Sequence, residues 1–287
     1  MEKKKIRYIT PFTEEAFFTV VKKGIADAAE LLGAEVEFTG TKDADVQELC
    51  RLIEQSAADG CDGIAVSLVE EEKMAPSVEK AVQEGIPVVS FNIGGTGKAN
   101  VLANVCQDAF KAGKVVGRRI CGKFGEGKVL FTLHDDVEVL RQRLEGILSG
   151  MAESGVQPEY KVIVSGNTPE LACSTIMEEL SKDESICAVI GTGQSDTHGA
   201  GLAAKELQGS FYTAGFDVCS EILQMVKEEV IDFTIDQQPY VQGFYPLLLL
   251  WQNASFGIMP SDIDAGNAVI DSTNIDLVMA AASQGVR

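Results

Sequence analysis

Apolar positions along this chain of 287 residues switch repeatedly between two spacings. Short β-branched runs predict strands, and longer stretches with apolar residues three and four apart predict amphipathic helices. Residues 6–12 predict the first strand. Residues 17–32 predict the first helix, closed by Gly33 where helices favour a left-handed residue. A strand over 36–39, a helix over 45–58 stopped by Gly60, a strand over 63–69 and a helix over 75–84 with Gly85 follow. Strands over 87–92 and 101–106 end this series.

The pattern then restarts. It predicts a helix over 109–124, a strand over 128–134, a helix over 137–153 ended by Gly155, and a strand over 161–165. A helix over 169–181, a strand over 187–191, a helix over 197–207 and a strand over 211–216 come next, then a helix over 219–229 and a strand over 232–235. Strands alternating with crossover-length helices imply βαβ units, parallel sheets and right-handed connections. Two such series predict an α/β chain with two doubly wound parallel-sheet lobes, in keeping with a length above that of one ordinary core. A further helix over 239–253, a polar connector over 258–266 and a short strand over 268–270 complete the pattern. That late helix packs most economically back on the first lobe, so several crossovers between lobes are expected. The predicted boundaries are 1–107 with 238–265, and 108–237 with 266–287.

Composition narrows the class. Hydrophobic residues make up 45% and charged residues 23%, the balance of a soluble globular chain. The net charge of −19 sets up a field that repels phosphate backbones, which argues against nucleic-acid binding. The longest apolar run, 244–251, falls far short of the roughly 20 residues of a membrane span. Met1-Glu2-Lys3-Lys4-Lys5 leads straight into a strand and has no apolar core or cleavage site of a leader. The expectation is therefore either a cytoplasmic protein or one whose leader is absent from this sequence. Seven scattered cysteines, at 50, 61, 106, 121, 173, 187 and 219, show no metal or redox spacing, and an odd count leaves no complete disulfide set.

In open parallel sheets, ligands bind beyond the carboxyl ends of the strands. That singles out residues 13–18, Asn92 and Ile93, 135–143, 193–196, Asp217 and 236–238. Several landmarks fall among or beside them. They are Phe17-Phe18 opening the first helix, Gly85-Ile86-Pro87-Val88-Val89-Ser90-Phe91-Asn92, Arg143-Leu144-Glu145-Gly146, Ala214-Gly215-Phe216-Asp217, and Thr234-Ile235-Asp236-Gln237-Gln238-Pro239. In order and spacing, from Ile6 to about Asn274, the chain resembles the ribose-binding-protein type of periplasmic solute-binding proteins. The fold of that family, the type I periplasmic binding fold, also forms the effector domains of lactose-repressor-type regulators.

The resemblance implies two lobes joined by hinge crossovers near Cys106-Gln107, 236–238 and 264–267, with a monosaccharide or polyol taken up in the cleft between them. It implies Phe17 and Phe18 as aromatic platforms with Glu15 just before them, and Asn92, Arg143, Ser195, Asp217 and Gln237 as polar ligand contacts. Two departures are visible. Asn92-Ile93 stands where the family has Asp-Arg, and Ser195 stands where it often has Asn, so the expected ligand differs from ribose. By the same resemblance the protein is a non-enzymatic monomer without cofactor, metal or catalytic residues. It would deliver its sugar to an ABC transporter permease outside the cytoplasm. The alternative is the effector domain of a repressor without its DNA-binding headpiece.

Plainer readings stand beside these. Phe17 and Phe18 are also ordinary core residues, Arg143 an ordinary surface partner for Glu138 or Glu145, and Asp217 an ordinary helix N-cap. Gln237 could satisfy only backbone groups, and Glu15 a helix dipole. His134 and His198 lack metal-ligand spacing and are expected in structural or exposed roles. Asp135-Asp136 reads as a helix N-cap. Gly94-Gly95-Thr96-Gly97 lacks the Lys-Ser/Thr of a phosphate loop and reads as a turn.

Overall fold

The computed structural model describes residues 3–15, 17–124 and 127–287. The chain divides into two compact units, 1–107 with 238–265 and 284–287, and 108–237 with 266–283. Residues 284–287, which the sequence pattern places with the second lobe, group with the first unit.

The first unit opens with β1 (Lys5–Thr10), α1 (Phe17–Leu32), β2 (Glu35–Gly40), α2 (Val46–Ala58), β3 (Gly63–Val66), α3 (Glu71–Gln83), β4 (Val88–Phe91) and β5 (Asn104–Cys106). The second unit continues with α4 (Ala109–Ile120), β6 (Lys128–Leu133), α5 (Glu138–Glu153), β7 (Tyr160–Val164), α6 (Pro169–Lys182) and β8 (Ile186–Gly191). Then come α7 (Gln194–Glu206), β9 (Tyr212–Phe216), α8 (Ser220–Lys227) and β10 (Phe233–Asp236). The chain returns to the first unit for α9 (Pro239–Phe256) and β11 (Ile263–Asp264). It ends its regular structure in the second with β12 (Ala268–Asp271) and α10 (Ile275–Ala282).

The sheets run β2-β1-β3-β4-β5-β11 and β7-β6-β8-β9-β10-β12, the same order twice. All described pairings are parallel except β10 with β12, which makes the second sheet mixed. Strand residues alternate between two covered faces. Ile6 and Tyr8 of β1 join the core under α1 and α9, whereas Ile9 joins the opposite core with Leu49 and Ile53 of α2. In the second unit Val129 and Phe131 meet α4 and α5, while Leu130 meets α6 and α7.

Each unit contains a glycine-lined helix crossing. A Cβ on Gly24 of α1 would lie 2.3 Å from the Tyr240 carbonyl oxygen of α9. One on Gly113 of α4 would lie 2.1 Å from the carbonyl oxygen of Arg143 on α5. Only glycine admits such backbone approach. Each of α4 and α9 follows a strand of one unit and packs in the other. For α9 this is the packing its late position in the chain suggests.

The sequence pattern misses some boundaries. α3 begins at Glu71, well before residue 75, because Pro76 reads as a first-turn proline yet sits inside the helix. Its missing N–H removes a single ladder bond. The connector over 258–266 contains β11, whose two residues pair with Val105 and Cys106 and are too few to show a period. α10 follows a polar turn and goes unread.

Candidate functional site

At the carboxyl end of the second sheet, Arg143 and Asp217 form a buried pair. Arg143 projects from the first full turns of α5, and the close crossing at Gly113 fixes that segment. Its Nη1 donates to Asp217 Oδ2 at 3.1 Å and Nη2 to Oδ1 at 3.3 Å, while Nη1 also donates to the Thr192 carbonyl at 2.8 Å. The guanidinium lies 4.5 Å over the Phe216 ring. Arg143 is 3% exposed and Asp217 9%. A planar fork facing a carboxylate in this way fixes both partners in direction as well as charge. Gln237 Nε2 adds a donor to Asp217 Oδ1 at 2.8 Å. The Asp217 main chain is tied down by its N–H on the Ile235 carbonyl and by Thr234 Oγ1 on its own carbonyl.

Next to this pair lies a second polar group. Asp196, wholly buried on α7, accepts from the backbone N–H of Thr192 at 2.7 Å, from that of Gly193 at 2.9 Å and from Thr132 Oγ1 at 3.2 Å. His134, the residue after β6, sets Nδ1 3.3 Å from Asp196 Oδ1. Burial lowers the His134 pKa, but the hydrogen bond and charge of Asp196 outweigh it, and the net shift is upward.

In the first unit, Asn92 follows β4. Its Oδ1 stands 3.5 Å from Ser67 Oγ and its Nδ2 3.5 Å from Oε1 of the fully buried Gln242 on α9. Phe17 and Phe18 meet edge to face at 5.3 Å and have different fates. Phe18 is buried in the core against Phe38, whereas Phe17 is half-buried and packs on that core from outside. Glu15 is exposed. Its main chain closes the turn between β1 and α1, with its N–H on the Phe12 carbonyl and its carbonyl accepting from Phe18 N–H.

The structure thus brings Arg143, Asp217 and Gln237 together and sets Asn92, Phe17 and Glu15 at the strand ends of the other unit. Ser195 lies at the start of α7, where its hydroxyl donates to the Asn167 carbonyl at 3.1 Å. Arg143 takes the buried Asp217 as its partner, and Asp217 is no helix cap, since α8 has Cys219 at that place. Asp135 and Asp136 do not cap α5 either. Val137 is its N-cap, Asp135 folds onto Asp136 N–H at 2.7 Å, and Asp136 pairs with Arg141. The glycine-rich stretch is a turn held by Glu71, whose carboxylate accepts from Thr96, Lys98 and Ala99 N–H and from Thr96 Oγ1. Those amides are occupied, which removes them as a phosphate cradle.

Three polar residues beside these groups have roles that the sequence reading does not assign. They are Asp196, Gln242 and His134. Asp196 sits within the loop over 193–196, and its spacing three residues after Gly193 is the available signal. Gln242 looks like any polar position of a helix until the helix proves buried. Among the described residues no group of three or more His, Cys, Asp or Glu is placed to hold a metal ion. No helix there is long and apolar enough to cross a membrane. A groove of about 910 Å³ in the first unit, lined by Glu54, Cys61, Lys80 and Asn253, also touches Asp62 and Gly85–Pro87. It lies at the amino ends of the strands, away from the site.

Comparison with known proteins agrees with this architecture. The model of the periplasmic binding protein domain matches residues 6–257. A xylose/arabinose-binding protein of Sulfolobus acidocaldarius is 26% identical over 97% of this chain and 73% of its own length. A ribose import binding protein of Haemophilus influenzae is 24% identical over 80% of this chain and 78% of its own. A carbohydrate transporter structure from Acidothermus cellulolyticus, in complex with myo-inositol, superposes with a TM-score of 0.81 at 26% identity, covering 99% of this chain and 100% of that one. A periplasmic ribose ABC transporter structure from Conexibacter woesei reaches 0.86 at 21% identity, covering 99% and 97%. With most of its length matched by that family model, the chain belongs to the periplasmic binding protein domain family.

Proposed function

We propose that this protein is the solute-binding component of a sugar ABC transporter, capturing a neutral monosaccharide or polyol and handing it to the permease. The observation that carries the reading is the Arg143–Asp217–Gln237 group. A sugar hydroxyl is donor and acceptor at once, so adjacent hydroxyls suit a site that offers donors and an acceptor in fixed directions. The ion pair compensates its own charge, which favours a neutral ligand over a carboxylate or phosphate. Phe17 supplies an apolar ring surface of the kind that covers the C–H face of a sugar.

The relatives support the sugar reading by the ligands in their names, xylose, arabinose and ribose, and by the myo-inositol in the Acidothermus structure. They are binding proteins rather than repressors. We take Phe17, Asn92, Arg143, Asp217 and Gln237 as the main ligand contacts, with Glu15, Phe18 and Ser195 in lesser parts. Asn92-Ile93 and Ser195 point to a sugar or polyol other than ribose that requires fewer charged partners. A monomer acting outside the cytoplasm is part of the same reading.

A thermal-shift screen of neutral pentoses, hexoses, inositols and sugar alcohols beside uronates and amino acids tests it. Stabilisation confined to neutral polyols supports the proposal. Stabilisation by an amino acid or uronate alone, or by nothing, refutes it.

A further inference from the structure

His134 is one of the two histidines in the chain, and Arg143, Asp217 and Gln237 leave it without a role. It sits where β6 ends, on the side of the sheet where those residues gather. Among the described residues its ring is held from one side. Nδ1 faces Asp196 Oδ1 at 3.3 Å, and the side chain keeps 30% of its surface exposed. Asp196 itself is immobilised by two backbone N–H groups and the Thr132 hydroxyl. The room for this arrangement comes from Gly193, where a Cβ would stand 2.4 Å from His134 Nδ1. A buried carboxylate that fixes one ring nitrogen also fixes where the other points.

We propose that His134 is a specificity-determining residue of the second unit's ligand subsite, with Asp196 holding Nδ1 so that Nε2 meets a ligand hydroxyl. The inference rests on the sugar-binding reading and deepens it. With Nδ1–H turned to Asp196, a neutral ring offers Nε2 as an acceptor, and a protonated ring offers it as a donor. The charged groups around it are Asp196 from α7, Asp217 after β9 and Arg143 from α5, and the net effect of its surroundings favours the protonated form. The subsite therefore changes from acceptor to donor within the range where histidine titrates. A hydroxyl can answer either form, so pH changes the strength of the contact. A purely structural histidine would alter folding stability and leave the order of preference among sugars untouched.

Titration calorimetry with D-ribose, D-xylose, L-arabinose, D-glucose, D-galactose and myo-inositol tests this at about pH 5.5 and about pH 8, on either side of the ordinary histidine pKa. The proteins are wild type, His134→Asn, His134→Gln and, as control, His198→Gln. Asn preserves a donor near Nδ1 for Asp196 and removes the outer nitrogen. Gln reaches towards the outer position and does not titrate. The expected result is binding about tenfold weaker in His134→Asn at unchanged melting temperature, the size of one lost hydrogen bond. The order of preference should shift. The pH dependence of affinity should vanish in both His134 variants and persist in His198→Gln. Unchanged affinities, order and pH dependence in both His134 variants would overturn the inference and leave the sugar reading standing. A wild type that binds none of the six would overturn both.

Discussion

Asn92 and Asp217 close the fourth strand of their respective sheets in the same left-handed conformation, with φ of 62° and 70°. Such angles are uncommon outside glycine, and Asn and Asp are the side chains that tolerate them best. Of the four other non-glycine residues with positive φ among the described residues, Gln208 and Glu229 simply follow helix ends. The twin positions turn each chain sharply off its strand and set a polar side chain at the strand's carboxyl end, where we propose the ligand is held. Backbone strain held at such places is a mark of functional sites.

Asn92 therefore gives a clean separation of backbone from side chain. Asn92→Ala should lower stability by about 1–2 kcal/mol, the cost of a left-handed non-glycine residue. Asn92→Gly should restore it. Both should weaken sugar binding alike, because both lack the amide. Melting curves and calorimetry on the two variants check this, and equal stability of Ala and Gly would contradict it.

The buried pair predicts a different signature. Asp217→Asn keeps the shape and the tolerated φ but leaves the Arg143 charge without its carboxylate, and breaking a buried pair costs about 3–5 kcal/mol. Arg143→Lys keeps the charge and loses the fork. Both should unfold at lower denaturant and bind sugar at least about tenfold more weakly, the size of one lost charged hydrogen bond. Urea titration with calorimetry reads both effects.

The adjacent phenylalanines should come apart by mutation. Phe18→Ala empties a core position and should cost about 3–5 kcal/mol of stability. Phe17→Ala should cost little stability and mainly affinity. Reversed outcomes would exchange their roles.

Glu71 predicts an acid-sensitive loop. Burial acts to raise its pKa, but the hydrogen bonds from Thr96, Lys98 and Ala99 prevail and lower it to about 2, from an ordinary 4.5. A depressed folded pKa means the carboxylate stabilises fully above about pH 4.5, and that this contribution fades as pH falls towards 2. Glu71→Gln should be less stable at neutral pH and should lose less than wild type on acidification. Amide exchange at 96–99 in both proteins checks it. Slow exchange persisting in Glu71→Gln would contradict it.

Much of this was legible from residue order. α1 over Phe17–Leu32 agrees with its predicted bounds because a clear apolar stripe ends on Gly33, which has φ of 63°. Asp217 and Gln237 were singled out by their place after strands, as the family pattern implies. What was not legible depends on three-dimensional neighbours. Nothing in the order of residues says that Arg143 faces Asp217, far along the chain. Nor does it say that Asp196 is buried beneath His134, or that β11 finds an edge beside β5. Burial is the quantity that separates Phe18 from Phe17, and the one hint of it in the sequence is that Phe18 falls in helical register with Val21, Ile25 and Ala28.

In the proposed function the Arg143–Asp217 pair recognises a neutral sugar. Calorimetry of wild type and Asp217→Asn against D-ribose, D-xylose, L-arabinose, D-glucose, D-galactose, myo-inositol and D-glucuronate tests it most directly. At least one neutral compound should bind one-to-one, and glucuronate should not bind. Asp217→Asn should bind at least about tenfold more weakly. Binding of glucuronate alone, or equal affinity in the variant, would contradict it.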